Sequence, residues 1–140
     1  MTRTGTARTA WGRLLAQPEP LLAMAPMQDV THAAFWRILI RFGGPDLFFT
    51  EFFRVHAASR LDRDILRSIT NNPTGRPVVA QLVGTDAAAL ARTARELSQH
   101  PVAAIDLNAG CPVPVVSRKG AGGGLLRDLG RLEAILGALR

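Results

Sequence analysis

Four times along the chain, a short apolar run is followed by a longer stretch with the spacing of an amphipathic helix. The runs cover residues 21–25, 47–50, 78–83 and 102–107. Short apolar strands that alternate with helices are typical of parallel βα units, whose strands are buried on both faces. The pattern therefore predicts an α/β fold of about four parallel βα units.

The stretches that follow these runs predict four helices. The first begins at Thr31, its expected N-cap, because a threonine hydroxyl accepts hydrogen bonds from the free N–H groups of a first turn. The others are predicted over about residues 57–69, from Thr85 or Asp86 to about Gln99, and over about residues 129–139. A long glycine-rich loop is expected over residues 110–124, between the last strand and the last helix.

The 140 residues are enough for one domain with a hydrophobic core, and 47% of them are apolar. Residues 1–18 hold three arginines and no acidic residue, so we predict a flexible basic N-terminus there and one domain over residues 19–140. No apolar run approaches the ~20 residues of a membrane span. The single cysteine excludes an internal disulfide and fits a reducing compartment, which predicts a cytoplasmic protein.

The formal net charge of +6, from 17 basic and 11 acidic residues, favours polyanionic partners, nucleic acid first. The positive charges are scattered rather than grouped in a tail, and Lys119 is the only lysine. The charge therefore indicates a class of partner without locating the surface that binds it.

The ends of the predicted strands carry polar residues. In parallel α/β folds, the residues that do chemistry lie at the carboxyl ends of the strands. Here those ends present Met27–Gln28, Glu51, Gln81 and Asn108–Cys111. We therefore expect a site at one rim of the sheet, with the only thiol of the chain among its groups. His32, His56 and His100 lack the spacing of metal ligands, so no metal site is predicted.

Two architectures share this pattern, a doubly wound open sheet and a (β/α)8 TIM barrel. No G-x-G-x-x-G motif follows the first strand, which disfavours a dinucleotide-binding doubly wound unit. A complete barrel needs about 250 residues, and this chain supplies about four of the eight units. We therefore predict a truncated domain, the N-terminal half of a TIM barrel.

Short motifs reinforce this reading, and in order along the chain they are Ala25–Met27 with Val30–Thr31, Thr50–Glu51, Gln81–Gly84, Asp106–Pro112, Lys119–Gly122 and Leu125–Asp128. In this order and spacing the chain resembles the tRNA-dihydrouridine synthases, over about residues 21–140. Residues 50–55 look most like the bacterial C-type branch of that family, in which an arginine at the position of Arg54 helps to set the orientation of the tRNA.

The resemblance implies an enzyme that reduces uridine in tRNA to dihydrouridine. NADPH reduces a bound FMN, the flavin passes hydride to C6 of the uracil, and a cysteine protonates C5. At the position of that cysteine stands Cys111. The chemistry of a thiol agrees with this role, because a free thiol has a pKa near 8.5 and still holds its proton at neutral pH.

The resemblance also implies binding roles for residues at the predicted rim. The FMN-binding positions match Pro26, Met27, Gln28 and Gln81. The positions that contact the tRNA substrate match Asn108 and Arg54, and Lys119 lies in a basic loop suited to phosphate or RNA. An amide such as that of Gln81 or Asn108 can both donate and accept hydrogen bonds at a pyrimidine edge, which a carboxylate cannot.

The sequence has no counterpart of two parts of the family's proteins. These are the later strands of the barrel, which carry further flavin contacts, and the helical tRNA-binding domain. We therefore expect the 140-residue chain to be inactive by itself. Two other functions remain open at this point. One is another FMN-dependent barrel oxidoreductase, similar to dihydroorotate or dihydropyrimidine dehydrogenase, and the other is an inactive RNA-binding remnant.

Overall fold

The computed structural model describes residues 12–140. Its sheet consists of β1 (Ala23–Met24), β2 (Leu47–Phe49), β3 (Phe53–Arg54), β4 (Val78–Val83) and β5 (Ala104–Leu107). After a helical turn at residues 12–16, the helices are α1 (Ala33–Arg41), α2 (Arg63–Thr70), α3 (Ala87–Leu97), α4 (Pro114–Ser117) and α5 (Leu129–Leu139). A 3-10 helix, Gly122–Arg127, connects α4 to α5.

The strands pair in the order in which they occur along the chain. β1 pairs with β2, both β2 and β3 pair with β4, and β4 pairs with β5, always in parallel. A doubly wound sheet reverses its strand order at a switch point, and no reversal occurs in residues 12–140. The sheet therefore has the order of half a (β/α)8 barrel, as predicted.

The second strand was predicted as residues 47–50 and instead continues, after an interruption, to Arg54. Phe49 is paired with Val79 and Phe53 with Leu82, so three residues of this strand, 50–52, lie opposite only two of β4. The extra residue is a β-bulge, which shifts the alternation of side chains between the two faces by one. Residues three apart normally point to opposite faces, but this shift brings both Glu51 and Arg54 to the same cleft.

The main core lies between the sheet and the helices. Val78, Ala80 and Leu82 of β4 belong to it, together with Phe48 of β2. The fully buried Trp36 of α1 packs on Phe48 with the ring centroids 5.0 Å apart. This packing anchors α1 and leaves the opposite face of the sheet free to carry polar residues.

The start of α1 differs from the prediction, because Thr31 is not its N-cap. The N-cap is His32, which makes no capping hydrogen bond through its side chain. The hydroxyl of Thr31 instead accepts a hydrogen bond from the backbone N–H of Met27 (2.8 Å) and donates to the Met27 carbonyl (3.1 Å). Thr31 therefore closes the turn after β1, which is part of the predicted site.

The helix predicted over residues 57–69 begins later, at Arg63, with Asp62 as the N-cap. Asp62 accepts hydrogen bonds from the backbone N–H groups of Asp64 and Ile65. The preceding residues are held in a loop by Arg92 of α3, whose guanidinium donates to the carbonyl of Ala57 at 2.7 Å. A contact from another element has overridden the local helical pattern. Of the two caps proposed for α3, Asp86 is the one observed.

The sequence predicted one long loop over residues 110–124. The structure instead has α4 and the start of the 3-10 helix in this segment. The glycines there permit close backbone approach. A side chain at Gly122 would meet the Cys111 carbonyl oxygen at 2.8 Å, and the φ angle of Gly122 is +54°. None of the helices in the described residues is long and apolar enough to cross a membrane.

Candidate functional site

A cleft of about 700 Å³ opens at the carboxyl ends of the strands. Its lining includes seven of the eight residues for which the sequence predicted a role, namely Pro26, Met27, Gln28, Arg54, Gln81, Asn108 and Cys111. The eighth, Lys119, is exposed and is not part of the lining. The rim expected from the strand ends is therefore one continuous site, and the roles of its residues stay predictions.

Hydrogen bonds connect the ends of two neighbouring strands, β4 and β5, across the floor of the cleft. The side-chain N–H of Gln81 donates to Asp106 Oδ2 at 2.7 Å, and the Asn108 amide donates to Gln81 Oε1 at 2.9 Å. Asn108 Oδ1 in turn accepts from the backbone N–H of Cys111 (2.9 Å) and from that of Gly110 (3.2 Å). One chain of hydrogen bonds thus runs from a carboxylate, through two amides, to the cysteine loop.

Asp106 had no predicted role, although it lies within the motif that contains the cysteine. It is paired in register with Gln81 on the neighbouring strand, and paired residues of adjacent strands share a face. Alternation along β5 was the signal that could have placed it in the site. Its carboxylate fixes which end of the Gln81 amide donates, and therefore which end accepts from Asn108.

Cys111 is half-buried, and its side chain packs beside a small apolar cluster formed by Phe52, Val83, Val116 and Ala121. Its carbonyl oxygen accepts a hydrogen bond from the backbone N–H of Gly123 at 2.9 Å. The backbone of Cys111 is therefore held on both sides, by Asn108 and by the 3-10 helix. The thiol is thus presented from a fixed loop, as a proton donor requires.

The turn after β1 brings Met27 and Gln28 to the opposite wall of the cleft. Thr31 holds this turn through the backbone of Met27, and Asp29 adopts a left-handed conformation with φ of +64°. Met27 is 58% exposed. Gln28 Oε1 is buried and has no hydrogen-bond partner among the described residues.

Glu51 lines the same cleft, from within the bulge. Burial raises the pKa of its carboxyl above the ordinary value of 4.5, and the charge of Asp29 raises it further. The pKa is lowered in part by His32 and by hydrogen bonds from the backbone of Asp29 and Val30. Glu51 Oε1 is buried without a partner within residues 12–140, so the cleft holds two acceptor oxygens, on Gln28 and Glu51, that lack donors.

Arg54 is exposed, and its guanidinium carbon lies 5.1 Å from the centroid of the Phe52 ring. A cation over an aromatic face is attracted by the ring quadrupole. This contact holds the Arg54 side chain against Phe52, and both residues line the cleft. The position fits its predicted role as a contact to the substrate.

Lys119 lies in the turn between α4 and the 3-10 helix, where its backbone N–H donates to the carbonyl of Val116 at 3.1 Å. The predicted basic loop beside the cysteine is therefore a tight turn that keeps the lysine outside the cleft lining. Within residues 12–140, no group of three or more His, Cys, Asp or Glu side chains could hold a metal ion.

Comparison with known proteins agrees with the motifs at the rim. The dihydrouridine synthase (Dus) family matches residues 23–140, which include every residue of the cleft. The chain belongs to the dihydrouridine synthase family. The family assignment from the motifs is thus confirmed, while its C-type branch stays a prediction.

The chain is similar to curated members of the family. It is 33% identical over 118 residues to a probable tRNA-dihydrouridine synthase of Staphylococcus aureus (strain COL). The matched segment covers 83% of the chain and 35% of the relative. It is also 33% identical over 111 residues to probable tRNA-dihydrouridine synthase 2 of Bacillus subtilis (strain 168), covering 78% and 34%. The chain therefore spans about a third of the length of these relatives.

Proposed function

We propose that the chain provides the catalytic half-site of an enzyme that reduces uridine in tRNA to 5,6-dihydrouridine. FMN is the bound cofactor, NADPH is the electron donor, and Cys111 is the general acid. The observation that carries the proposal is the hydrogen-bond chain from Asp106 through Gln81 and Asn108 to the backbone of Cys111. It links the predicted flavin-binding amide, through Asn108, to the backbone of the predicted proton donor.

The residues of the cleft fit a flavin. A volume of about 700 Å³ lies within the range of cofactor pockets. The partnerless oxygens of Gln28 and Glu51 are acceptors for a ligand's N–H groups, and a flavin carries an N–H donor between two carbonyl acceptors. Gln81 is only 7% exposed and already uses one N–H and one lone pair internally. One N–H and one lone pair of that amide remain for the cofactor.

When bound and reduced by NADPH, the flavin supplies the hydride that is added to C6 of the uracil. Cys111 supplies the other hydrogen, because its thiol proton passes from Sγ to C5. A thiol placed beside the reacting carbon can release its proton to a developing carbanion, which is the role of a general acid. The hydrogen bond from the backbone of Cys111 to Asn108 Oδ1 keeps the thiol in place for the transfer.

We also infer that Asn108 and Arg54 contact the RNA substrate, and that the chain is of the C-type branch. Asn108 lies between the flavin-binding amide and the thiol, at the centre of the cleft floor. Arg54 lies over Phe52 at its mouth, where a cation can meet the phosphate backbone. We assign Lys119 a weaker role in the same interface, outside the cleft. The single free cysteine is consistent with action in the reducing cytoplasm.

A chimera tests the proposal, because the chain spans only about a third of its relatives. Residues 23–140 replace the matching segment of the Bacillus subtilis relative, and the protein is produced in a strain without dihydrouridine synthases. We expect dihydrouridine in the tRNA, detected by mass spectrometry of its nucleosides. A chimera that binds FMN and reduces free uracil or orotate, but leaves tRNA unmodified, would favour an enzyme of the dihydroorotate or dihydropyrimidine dehydrogenase type. A chimera that binds tRNA without flavin would favour an RNA-binding remnant.

A further inference from the structure

A second pocket, of about 370 Å³, lies next to the cleft. The two share a wall made of Gln28, Phe52 and Arg54. The far side of the second pocket is formed by the loop between β3 and α2 and by the start of α2, through His56, Ala58, Ser59, Arg60, Asp62 and Ile65. Roles were predicted from the sequence for Gln28 and Arg54 of the shared wall, but for none of the residues on the far side.

The pocket carries an excess of positive charge. Arg54 and Arg60 line it, and neither has a carboxylate partner within salt-bridge distance in residues 12–140, where only Arg67 and Arg131 form ion pairs. The one carboxylate in the lining, Asp62, is engaged as the N-cap of α2. Two arginines and a histidine thus line a small pocket that contains one carboxylate, and that carboxylate already accepts two backbone hydrogen bonds.

The loop that carries these groups is held in one shape from outside. Arg92 of α3 donates to three carbonyls of this loop, those of Ala57 (2.7 Å), His56 (3.2 Å) and Ser59 (3.2 Å). Within the loop, Ser59 Oγ accepts from the backbone N–H of His56 (3.0 Å) and donates to its carbonyl (2.8 Å). Preorganised donors bind an anion more tightly than mobile ones because less conformational freedom is lost on binding.

We propose that this second pocket binds a backbone phosphate of the RNA strand, next to the nucleotide whose base enters the cleft. Arg54 and Arg60 are its charge partners, and Arg92 is a positioning residue that holds the loop. The inference rests on the proposed function. An enzyme that acts on a base must take that base out of its stack and hold it in a pocket, and contacts to the adjacent phosphate fix its register.

The test measures binding of a uridine-containing single-stranded RNA to the 140-residue chain, by fluorescence anisotropy over a series of salt concentrations. Arg60→Gln should weaken binding about tenfold, as expected for a lost charged hydrogen bond. It should also lower the slope of log K against log salt by about 0.7, the value for one phosphate contact on a single strand. The matched control is Arg63→Gln, which removes the same charge from an exposed residue outside the pocket.

A second variant separates positioning from charge. Arg92→Lys keeps the net charge but cannot reproduce the planar contacts to three carbonyls, so it should weaken RNA binding and lower the salt slope as Arg60→Gln does. An equal effect of Arg60→Gln and Arg63→Gln would overturn the proposal, as would a chain that binds RNA without salt dependence. It would equally be overturned if the Arg60 substitution weakened binding of NADPH or inorganic phosphate while leaving RNA binding intact. Dihydrouridine formation by the chimera is measured separately, so failure of the phosphate pocket is distinguishable from failure of the proposed function.

Discussion

The hydroxyl oxygen of Thr50 accepts a hydrogen bond from the backbone N–H of Gln81 at 3.1 Å, in a fully buried position between two strands. In a regular parallel ladder a backbone carbonyl accepts at such a site. The bulge at residues 50–52 interrupts the ladder, and the side chain of Thr50 takes the place of the missing carbonyl. The backbone of Gln81 is therefore satisfied although its neighbour is irregular.

Thr50→Val should lower the free energy of unfolding by about 1–3 kcal/mol, because it leaves a buried N–H without an acceptor. Valine retains the branched shape, so the loss reports on the hydroxyl. Urea denaturation followed by circular dichroism measures the change. Thr50→Ser is the control and should keep most of the stability, since serine supplies the same acceptor. If both variants lost equal stability, the hydrogen bond would not be the cause.

Cys111→Ala in the chimera should reduce dihydrouridine formation by about 10²–10⁴-fold, the usual effect of removing a general acid. FMN affinity should stay unchanged, because Asn108 and Gly123 contact only the backbone of Cys111. Single-turnover assays with unmodified tRNA measure the first quantity, and quenching of flavin fluorescence measures the second. Wild-type turnover in the alanine variant would reject the thiol as the proton donor.

Gly122→Ala should destabilise the chain by about 1–3 kcal/mol, since the added methyl would lie 2.8 Å from the Cys111 carbonyl oxygen. The left-handed conformation of Gly122 adds strain for any other residue. Gly137→Ala is the matched control, because a methyl there meets nothing within 4 Å in helix α5. That control should stabilise the chain by about 0.5–1 kcal/mol through helix propensity, and an equal loss in both variants would contradict the packing argument.

The raised pKa of Glu51 predicts a dependence of stability on pH. Because the folded chain binds this proton more tightly than the unfolded chain, the contribution of Glu51 is most favourable below pH 4.5. It declines as the pH rises from there through the folded-state pKa. Glu51→Gln lacks this titration, so its stability relative to the parent should rise across that window and then become constant.

Chemical denaturation at a series of pH values from 4 to neutrality measures this difference. Asp29→Asn provides the comparison, because the Asp29 charge is the second cause of the raised pKa and asparagine tolerates the left-handed conformation. The decline in stability of that variant should be shallower than that of the parent. A difference between Glu51→Gln and the parent that does not change with pH would show that Glu51 contributes no such effect.

Some elements were predictable because local pattern and tertiary environment agree. β4 has the predicted bounds, Val78–Val83, since a strand buried on both faces is a continuous apolar run. The last helix, predicted over residues 129–139, is likewise observed as Leu129–Leu139. The meeting of Gln81 and Asn108 in one cleft was also predictable, because the carboxyl ends of parallel strands share a rim.

Other features depend on contacts between residues far apart in the sequence. The bulge after Phe49 could not be predicted from the sequence, because it is defined by the register against β4, where residues 50–52 lie opposite only two residues. The delayed start of α2 depends on Arg92, which lies more than thirty residues from the carbonyls it holds. The position of Lys119 outside the cleft depends on the glycine-rich segment, which folds into α4 and a 3-10 helix. The glycines of that segment had instead indicated a loop.

Each strand pairs with the strand that precedes it in the sequence, and this order bears on how the chain folds. During synthesis, the partner of every new strand has already left the ribosome when that strand emerges, so the sheet can grow in one direction from β1 to β5. The paired residues, such as Ala23 with Leu47 and Phe48 with Val78, belong to neighbouring βα units, so no pairing waits for a strand beyond the next unit. A nascent chain of this kind does not hold an unpaired strand exposed while it waits for a distant partner.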